Sequence, residues 1–405
     1  VDALIVSAAL DTNGQNQRYV RASEKWGTDE GVLKALSVGE YDPASVVGRF
    51  QAAADKYGEL KIRSVHRATH IYQQMPADIE WTRTNDSMIR DLADEADIIH
   101  LNNSWRPWQK LRFSRRKPML LHHHGSLFRQ QTKDLLNWAY RNHAVQAVST
   151  VDLLRVAPQN LHWLPTAYDV GWLQEFGKAH REPNGRILVV SAPTNRQYKS
   201  TALLEAAVAQ LQGDGLPVDL LIIEGKPWAE CMALKASADI YFDQVILGYG
   251  CNAVEAWGMG IPVIAGADEW TLAKMREVYG SEELPFYEAT EDTIGAAIAD
   301  LAQHPRKRAA YAKRGLAHVR KFHDERPALT RLAQLYHMAI EWSEKEAPAI
   351  QPVLITFRAA VPQVRAAGRF VTFTDGIYST DNPYLATALR LLAQRYPRYG
   401  IEEVA

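Results

Sequence analysis

Short apolar runs alternate with amphipathic helical stretches along most of this chain, and that alternation is what most limits the folds open to it. The candidate strands are ALIVSAAL, LKIRSVH, DIIHLNN, PMLLHHH and AVQAVS in the first half, then RILVVSAP, VDLLIIEG, DIYFDQ, IPVIAG and LPFYEA. Between them lie RFQAAADKYG, LFRQQTKDLLNWAYR, TALLEAAVAQLQ and EDTIGAAIADLAQ, which read as helices. Strand, helix and strand in repeated succession build parallel sheets with helices on both faces, so the expected class is α/β. At 405 residues the chain exceeds what one hydrophobic core usually fills, and two such units with a cleft between them are expected.

The polar run DVGWLQEFGKAHREPNGR, Asp169 to Arg186, carries Pro and Gly between two strand signals and is the expected connection between the units. Residues 1–170 and 171–349 then form two Rossmann-like halves. The second of them ends in helices after about residue 305, with Pro327 opening the last. From residue 350 the texture changes: VLITFR and GRFVTFTDGIYSTD read as strands and NPYLATALRLLAQRY as a helix, a small α+β module over 350–405.

Lys and Arg total 46 against 47 Asp and Glu, and 47% of residues are apolar, which excludes a polybasic nucleic-acid binder and a disordered tail. The two cysteines, Cys231 and Cys251, have no C-x-x-C or Cys/His company, so neither a disulfide framework nor a zinc site is expected, and the chain reads as intracellular, hence cytoplasmic. The opening VDALIVSAAL lacks a basic flank and meets Asp11, Asn13 and Gly14 too early to span a bilayer; it is expected as a first buried strand.

The stretch LGYGCNAVEAWGMGIPVIAG, Leu247 to Gly266, has the form G-x-G-x-x-A. A strand, a Gly turn and a helix start put free backbone N–H groups and the positive end of a helix dipole before an anion. A dinucleotide site would find its acid in Asp268, about 20 residues on. Against it stand the position of the motif after a complete first half, the carboxylate of Glu255 one turn into the helix, and a second basic motif upstream. That motif is SAPTNRQYKST, residues 191–201, directly after a strand: Arg196 and Lys199 there present two cations able to hold a diphosphate and offset its charge as it leaves.

With these pieces in place, residues of about 97 to 320 resemble the nucleotide-sugar glycosyltransferases of the GT-B fold, the mostly retaining "group 1" enzymes, through ADIIHLNN, HHHGSLFR, WLPTAYD, APTNRQYKST and ADIYFDQVILGYGCNAVEAWGMGIPVIA. The resemblance implies a hexosyl- or pentosyltransferase that takes a sugar from a nucleoside diphosphate and needs no metal or other cofactor. Lys199 and Arg196 would hold the diphosphate. Glu255 matches the second glutamate of an E-x7-E signature and would accept bonds from the ribose hydroxyls. The turn Gly248, Tyr249, Gly250, Cys251 and Asn252 would face the sugar and phosphates through backbone N–H groups, and His124 would face the transferred sugar. The first glutamate of the signature falls at Leu247, where Asp243 and Gln244 would supply the contact instead.

Other candidates come from the residues alone. Glu224 ends a strand and could reach the base or ribose, or serve as a cap. His100 and Asn102 end DIIHLNN on the acceptor side, and the loop Asp11 to Arg18, with Gly14 as its flexible point, would close over the acceptor. In a strand, side chains alternate faces, so His122, His123 and His124 place at most two rings on one side; a metal is not expected there, and no D-x-D triplet occurs in the chain. The basic patch Gln109 to Lys117, beside Trp105 and Trp108, reads as a solvated loop before a DNA-phosphate surface. The tail module has a texture similar to small modules of phage-encoded proteins; it is expected to dock a macromolecular acceptor or a second subunit. The acceptor itself is left open between a glycan or lipid, a modified DNA base and a protein. Two other functions stay open: a nucleotide-sugar epimerase of the same fold, and a non-catalytic sugar- or nucleic-acid-binding protein.

Overall fold

The structure is a computed structural model that describes residues 31–67, 75–113, 117–157, 159–180, 185–343, 355–366, 369–380, 389–390, 392–393 and 396–404. ALIVSAAL, Gly14 and the loop around it lie outside the described residues.

Two parallel sheets carry the fold. The first contains β1 (Leu33–Gly39), β2 (Leu60–His66), β3 (Ile79–Glu80), β4 (Ile98–Asn102), β5 (Met119–His123), β6 (Ala144–Val148) and β7 (Leu161–Trp163), in the order β3-β2-β1-β4-β5-β6-β7. Every pairing in it is parallel. Its first described strand, LKALSVG, is absent from the strands expected from sequence: one apolar run with Lys34 and Ser37 in it was passed over between stronger signals. β1 is nevertheless central, because helices cover both of its faces and leave Ala35, Leu36 and Val38 with no exposure.

The second sheet contains β8 (Ile187–Ser191), β9 (Val218–Ile222), β10 (Ile240–Phe242), β11 (Leu247–Gly248), β12 (Val263–Ala267) and β13 (Tyr287–Glu288). Its order is β11-β12-β10-β8-β9, with β13 also on β12, and only β11 runs antiparallel. β11 is a two-residue strand that turns the chain back at Gly248. There φ is +85° and a Cβ would lie 2.2 Å from Met275 Cε, so only glycine fits.

Two expectations are corrected. The run Asp169 to Arg186 is no plain linker: it contains the helix Val170–His180. Its Leu173 and Gly177 pack closely on the helix Cys251–Gly258 and on Met259. The last helix, Glu325–Ser343, does not stay with the second unit. Its buried face, Ala328, Leu329, Leu332, Leu335, Tyr336 and Ala339, joins Phe50, Leu120 and Val145 of the first. An amphipathic helix goes where its apolar stripe finds a partner, which sequence distance does not reveal. The chain thus crosses between sheets twice, near residues 164–169 and 319–325. The crossings are zipped together by Tyr168 N–H donating to His323 O at 2.7 Å.

The tail has more strands than expected: β14 (Ile355–Arg358), β17 (Ile377–Thr380) and β18 (Glu402–Val404) form one antiparallel sheet, and β15 (Gln363–Ala366) pairs with β16 (Arg369–Thr372). Its core gathers Phe357, Val371, Phe373 and Leu389. The helix expected over NPYLATALRLLAQRY falls largely outside the described residues. Among the described residues no helix is long and apolar enough to cross a membrane.

Candidate active site

In an open parallel sheet the ligand crevice lies outside the carboxyl ends of the strands, where the strand order reverses. In the second sheet that point falls between β8 and β10. The loop after β8 carries Lys199, and Asp243 directly follows β10. Lys199 Nζ donates to Asp243 Oδ1, and Asp243 Oδ2 accepts the backbone N–H of Gly250 at 2.6 Å. Gly250 is the N-cap of the helix Cys251–Gly258. A carboxylate therefore sits on a lysine and a helix start, the place and the charge that a phosphate oxygen would take. The Lys199 loop is held by an Asx turn, with Asn195 Oδ1 accepting from the N–H groups of Gln197 and Tyr198, and by Ser200 in the left-handed region at φ 51°. Strain of this kind persists only where the surroundings impose it.

Glu255 lies one turn into the same helix and is buried. Its Oε1 accepts from Trp228 Nε1 and from Arg49 Nη2, each at 3.1 Å, and Oε2 accepts from Lys235 Nζ at 2.5 Å. Burial alone would raise its pKa; the charges of Lys235 and Arg49, with the bonds from Lys235 and Trp228, overcome that and hold the carboxyl below its ordinary value. Arg49 belongs to the helix Val46–Tyr57 that follows β1, and its guanidinium stacks 3.9 Å from the centre of the Tyr168 ring. This ion pair spans 206 positions of sequence and joins the first turns of one helix from each sheet, so the two carboxyl edges face each other. Neither Arg49 nor Lys235 was singled out from sequence. Lys235 sits among the apolar residues of the helix Trp228–Ala236 with no exposure, a placement for which the sequence carried no signal beyond a lysine on an apolar face.

The remaining turn residues divide between backbone and core. The Tyr249 side chain turns inward to His318, His323 and Tyr279. Asn252 donates to Ala192 O at 2.9 Å and accepts from Lys235 at 2.8 Å, tying the helix to the end of β8. Cys251 offers its carbonyl to the Tyr168 hydroxyl at 3.5 Å. Arg196 and Glu224 meet at the surface: Arg196 pairs with Glu224 at 2.8 Å and with Glu205 at 2.5 Å. Asp268, the acid that a dinucleotide site would use, instead caps the helix Glu269–Tyr279 through Thr271 N–H and pairs with Arg155 of the first unit. Gln244 contributes its carbonyl to Gly266 N–H, and Leu247 pairs with Ala267 in β11.

In the first sheet the order reverses between β1 and β4. The loop after β1 holds Ala44 and Ser45, both at left-handed φ of 56° and 53°, and Asn103 after β4 has φ 63°. Asp42 in that loop accepts the N–H groups of Val47 and Gly48 at 3.0 Å; burial pushes its carboxyl up to about 6 against those bonds. The loop expected at Gly14 lies outside the described residues; among the described ones, Gly39–Ser45 stands at this point of the sheet.

His124 caps the helix Gly125–Arg141, its N–H held by Asn103 Oδ1 at 2.8 Å. Asn102 Nδ2 donates to Ser37 Oγ at 2.7 Å, so its oxygen is the atom facing His124 Nε2 at 3.4 Å. Nε2 therefore carries the proton, and Nδ1 accepts from Ser149 at 2.6 Å. Burial drives its pKa down to about 3, so the ring is neutral. The alternation expected of the three histidines is present: the His122 and His124 rings lie 4.2 Å apart and share Ser149, while His123 stacks on Phe128 and bonds Gln146. His100 is buried, and its Nδ1 is within 2.9 Å of the Tyr336 hydroxyl of the last helix. His66 at the end of β2 is the neutral ring that sequence reasoning missed; burial takes its pKa to about 4. Among the described residues no group of three or more His, Cys, Asp or Glu is placed to hold a metal ion. The basic patch is partly committed: Lys117 donates to the carbonyls of Asp94 and Ala96, Trp105 and Trp108 pack on Trp138, and Ser114 to Arg116 lie outside the described residues.

No family model matches the sequence, and no curated protein matches it. Solved structures do match. HepE from Anabaena, solved with UDP, is 14% identical with a TM-score of 0.55, over 76% of this chain and 100% of that one. An alpha-glucosyltransferase solved with UDP and a 13-mer DNA containing a HMU base is 8% identical, TM-score 0.56, over 76% and 100%. Sucrose-phosphate synthase from Thermosynechococcus elongatus is 13% identical, TM-score 0.52, over 76% and 99%. These neighbours are GT-B glycosyltransferases. The two sheets, their facing carboxyl edges and the double crossing of the chain are those of the GT-B fold.

Proposed function

We propose that this chain is a glycosyltransferase that moves a sugar from a nucleoside diphosphate to an acceptor hydroxyl, with retention and without a metal. The observation that carries the proposal is the triad of Lys199, Asp243 and the Gly250 N–H at the switch point of the second sheet. A diphosphate arriving there exchanges its oxygens for the Asp243 carboxylate on the lysine and the helix start. Those same groups then stabilise charge as the bond from the sugar to the diphosphate breaks. The acceptor oxygen forms the new bond on the same face, and its proton leaves with the diphosphate. No side chain is assigned as nucleophile.

The other groups have supporting parts. For Glu255 to accept the ribose hydroxyls it must release one of its present donors, and Arg49, the only one from the opposite unit, is the one that domain movement can withdraw. His124 presents a neutral N–H held by a long 3.4 Å contact to Asn102, which a sugar hydroxyl can replace. Two of the neighbours above were solved with UDP, so a uridine donor is the first to test. The acceptor class stays with the three named from sequence; the second of those neighbours holds DNA, and the tail module is proposed as the docking element for a large acceptor or a second subunit.

The test is a panel of nucleotide sugars, followed by release of nucleoside diphosphate. Turnover of one donor that is lost in both Lys199→Ala and Glu255→Gln, with folding intact, supports the assignment. Full activity in either variant removes that residue from the site. Deleting residues 350–405 without any change in acceptor use or oligomeric state removes the docking role of the tail.

A further inference from the structure

The tyrosine between the two glycines of the phosphate turn does not face the anion site. Tyr249 is 6% exposed, and its ring lies among Trp257, Phe286 and Tyr279. Its hydroxyl is within 2.9 Å of His318 Nε2, 3.1 Å of His323 Nε2 and 3.2 Å of the Tyr279 hydroxyl.

The proton positions follow from one outer contact. His323 Nδ1 lies 3.0 Å from the carbonyl of Thr166, which can only accept, so Nδ1 carries the proton and Nε2 is an acceptor. Burial takes the His323 pKa to about 4 and that of His318 well below its ordinary value, so each ring has one N–H. Tyr249 then gives its only proton to His323 and receives one from the Tyr279 hydroxyl and one from His318 Nε2. Every hydrogen bond in the set has one donor and one acceptor.

What the network joins is informative. Thr166 belongs to the first crossing between the sheets. His318 and His323 flank the second, which is a π-turn over Val319–His323. Tyr279 ends the helix that packs on the turn Val151–Val156 of the first unit. The phosphate turn is thus bolted to both crossings through a single hydroxyl.

We propose that Tyr249 is a positioning residue for the donor diphosphate: its hydroxyl sets the turn Gly248–Gly250, and hence the helix N-terminus, relative to the two chain crossings. The inference rests on the donor reading above, in which only the backbone of Tyr249 has a part, and adds a role for its inward-facing side chain. A purely structural tyrosine would affect all ligands or none through stability. A positioning tyrosine affects the part of the ligand that the turn holds.

The experiment compares UDP with uridine on the full chain, wild type against Tyr249→Phe, which keeps the ring packing, and against Tyr279→Phe, which removes a donor to the same hydroxyl. Thermal melts of each variant verify folding at the assay temperature. The expected result is a rise in the UDP dissociation constant of about tenfold for Tyr249→Phe and less for Tyr279→Phe, with uridine affinity unchanged. Wild-type UDP affinity in folded Tyr249→Phe overturns the proposal, as does an equal loss of UDP and uridine. Lys199→Ala separates the two layers. If it loses UDP while Tyr249→Phe does not, the positioning role fails alone; if the wild type binds no UDP, the uridine donor reading fails and takes this role with it.

Discussion

The two carboxyl edges that face each other are built from different chemistry. On the first sheet the groups bonded to His124 are amides and a hydroxyl, with the buried Asp42 and the Arg129–Asp152 ion pair as the charged groups on that edge. On the second sheet they are ion pairs: Lys199 with Asp243, and Lys235 and Arg49 with Glu255. Neutral groups suit an uncharged sugar and an alcohol, whose protons must be oriented. Pre-paired charges suit a dianion that has to be held and then released, since each lysine or carboxylate keeps a partner when the ligand is gone. The difference shows why one site needs both halves.

The largest effect is expected at the ion pair that joins Arg49 of the first edge to Glu255 of the second. Arg49→Met leaves Glu255 with less compensation in a buried place and is expected to cost about 3 kcal/mol of unfolding free energy; chemical denaturation measures it. A loss under about 1 kcal/mol, the range of an exposed ion pair, would mean that the edges are held together by other contacts.

Next in size is the neutral edge. His124→Ala is expected to lower turnover roughly 100-fold while UDP affinity stays at the wild-type value. Equal losses in binding and turnover would place His124 with the donor groups and break the division of labour.

Acid titration reads the same edge through stability. His66 and His123 have folded pKa values near 4, and His100 and His124 near 3, all depressed by burial below the unfolded value of about 6.5. Between pH 6.5 and 4 the unfolded chain binds more protons, so stability falls as pH falls, by about 1.4 kcal/mol per unit for each group that titrates only when unfolded. Asp42 works the other way. Its folded pKa is raised, so its contribution is present below pH 3.8 and is lost as pH rises through about 6. Several histidines outweigh one aspartate, and the net slope is a loss on acidification. His66→Asn should flatten it by about one proton; an unchanged slope would contradict the neutral, buried ring.

The smallest effect belongs to the rim of the charged edge. Arg196 is exposed and shared between Glu205 and Glu224, so Arg196→Ala is expected to leave the melting temperature unchanged. A fall in donor affinity without a change in melting would bring Arg196 into contact with the diphosphate, while a marked loss of stability would make it part of the scaffold.

How much of this was legible in the sequence differs by physical scale. Strand and helix periods, the Gly turn at 248–250 and the basic loop at 196–199 are local, and from LKIRSVH to LPFYEA the strands and the helices between them stand where local pattern puts them. The Lys199–Asp243 pairing was half legible, since both residues follow strands of one sheet, Lys199 in the loop after β8 and Asp243 directly after β10. What joins distant segments was not. Arg49 meets Glu255 across 206 positions, Lys235 is buried by a partner that nothing near it announces, and Glu325–Ser343 returns to the first sheet because its apolar stripe fits there. The strand Leu33–Gly39 was missed for a smaller reason: Lys34 and Ser37 interrupt its apolar run, and β1 gains its central place from β2 and β4 on either side.

If the Lys199 and Gly250 edge binds a nucleotide sugar and breaks its bond to the diphosphate, the product can be followed directly. The most direct measurement is release of nucleoside diphosphate from a donor panel that begins with UDP-glucose, run on the wild type and on Lys199→Ala. The account predicts turnover of one donor by the wild type and a fall of roughly 100-fold or more in the variant. A wild type that neither binds nor cleaves any nucleotide sugar, or a variant that works as well as the wild type, would contradict it.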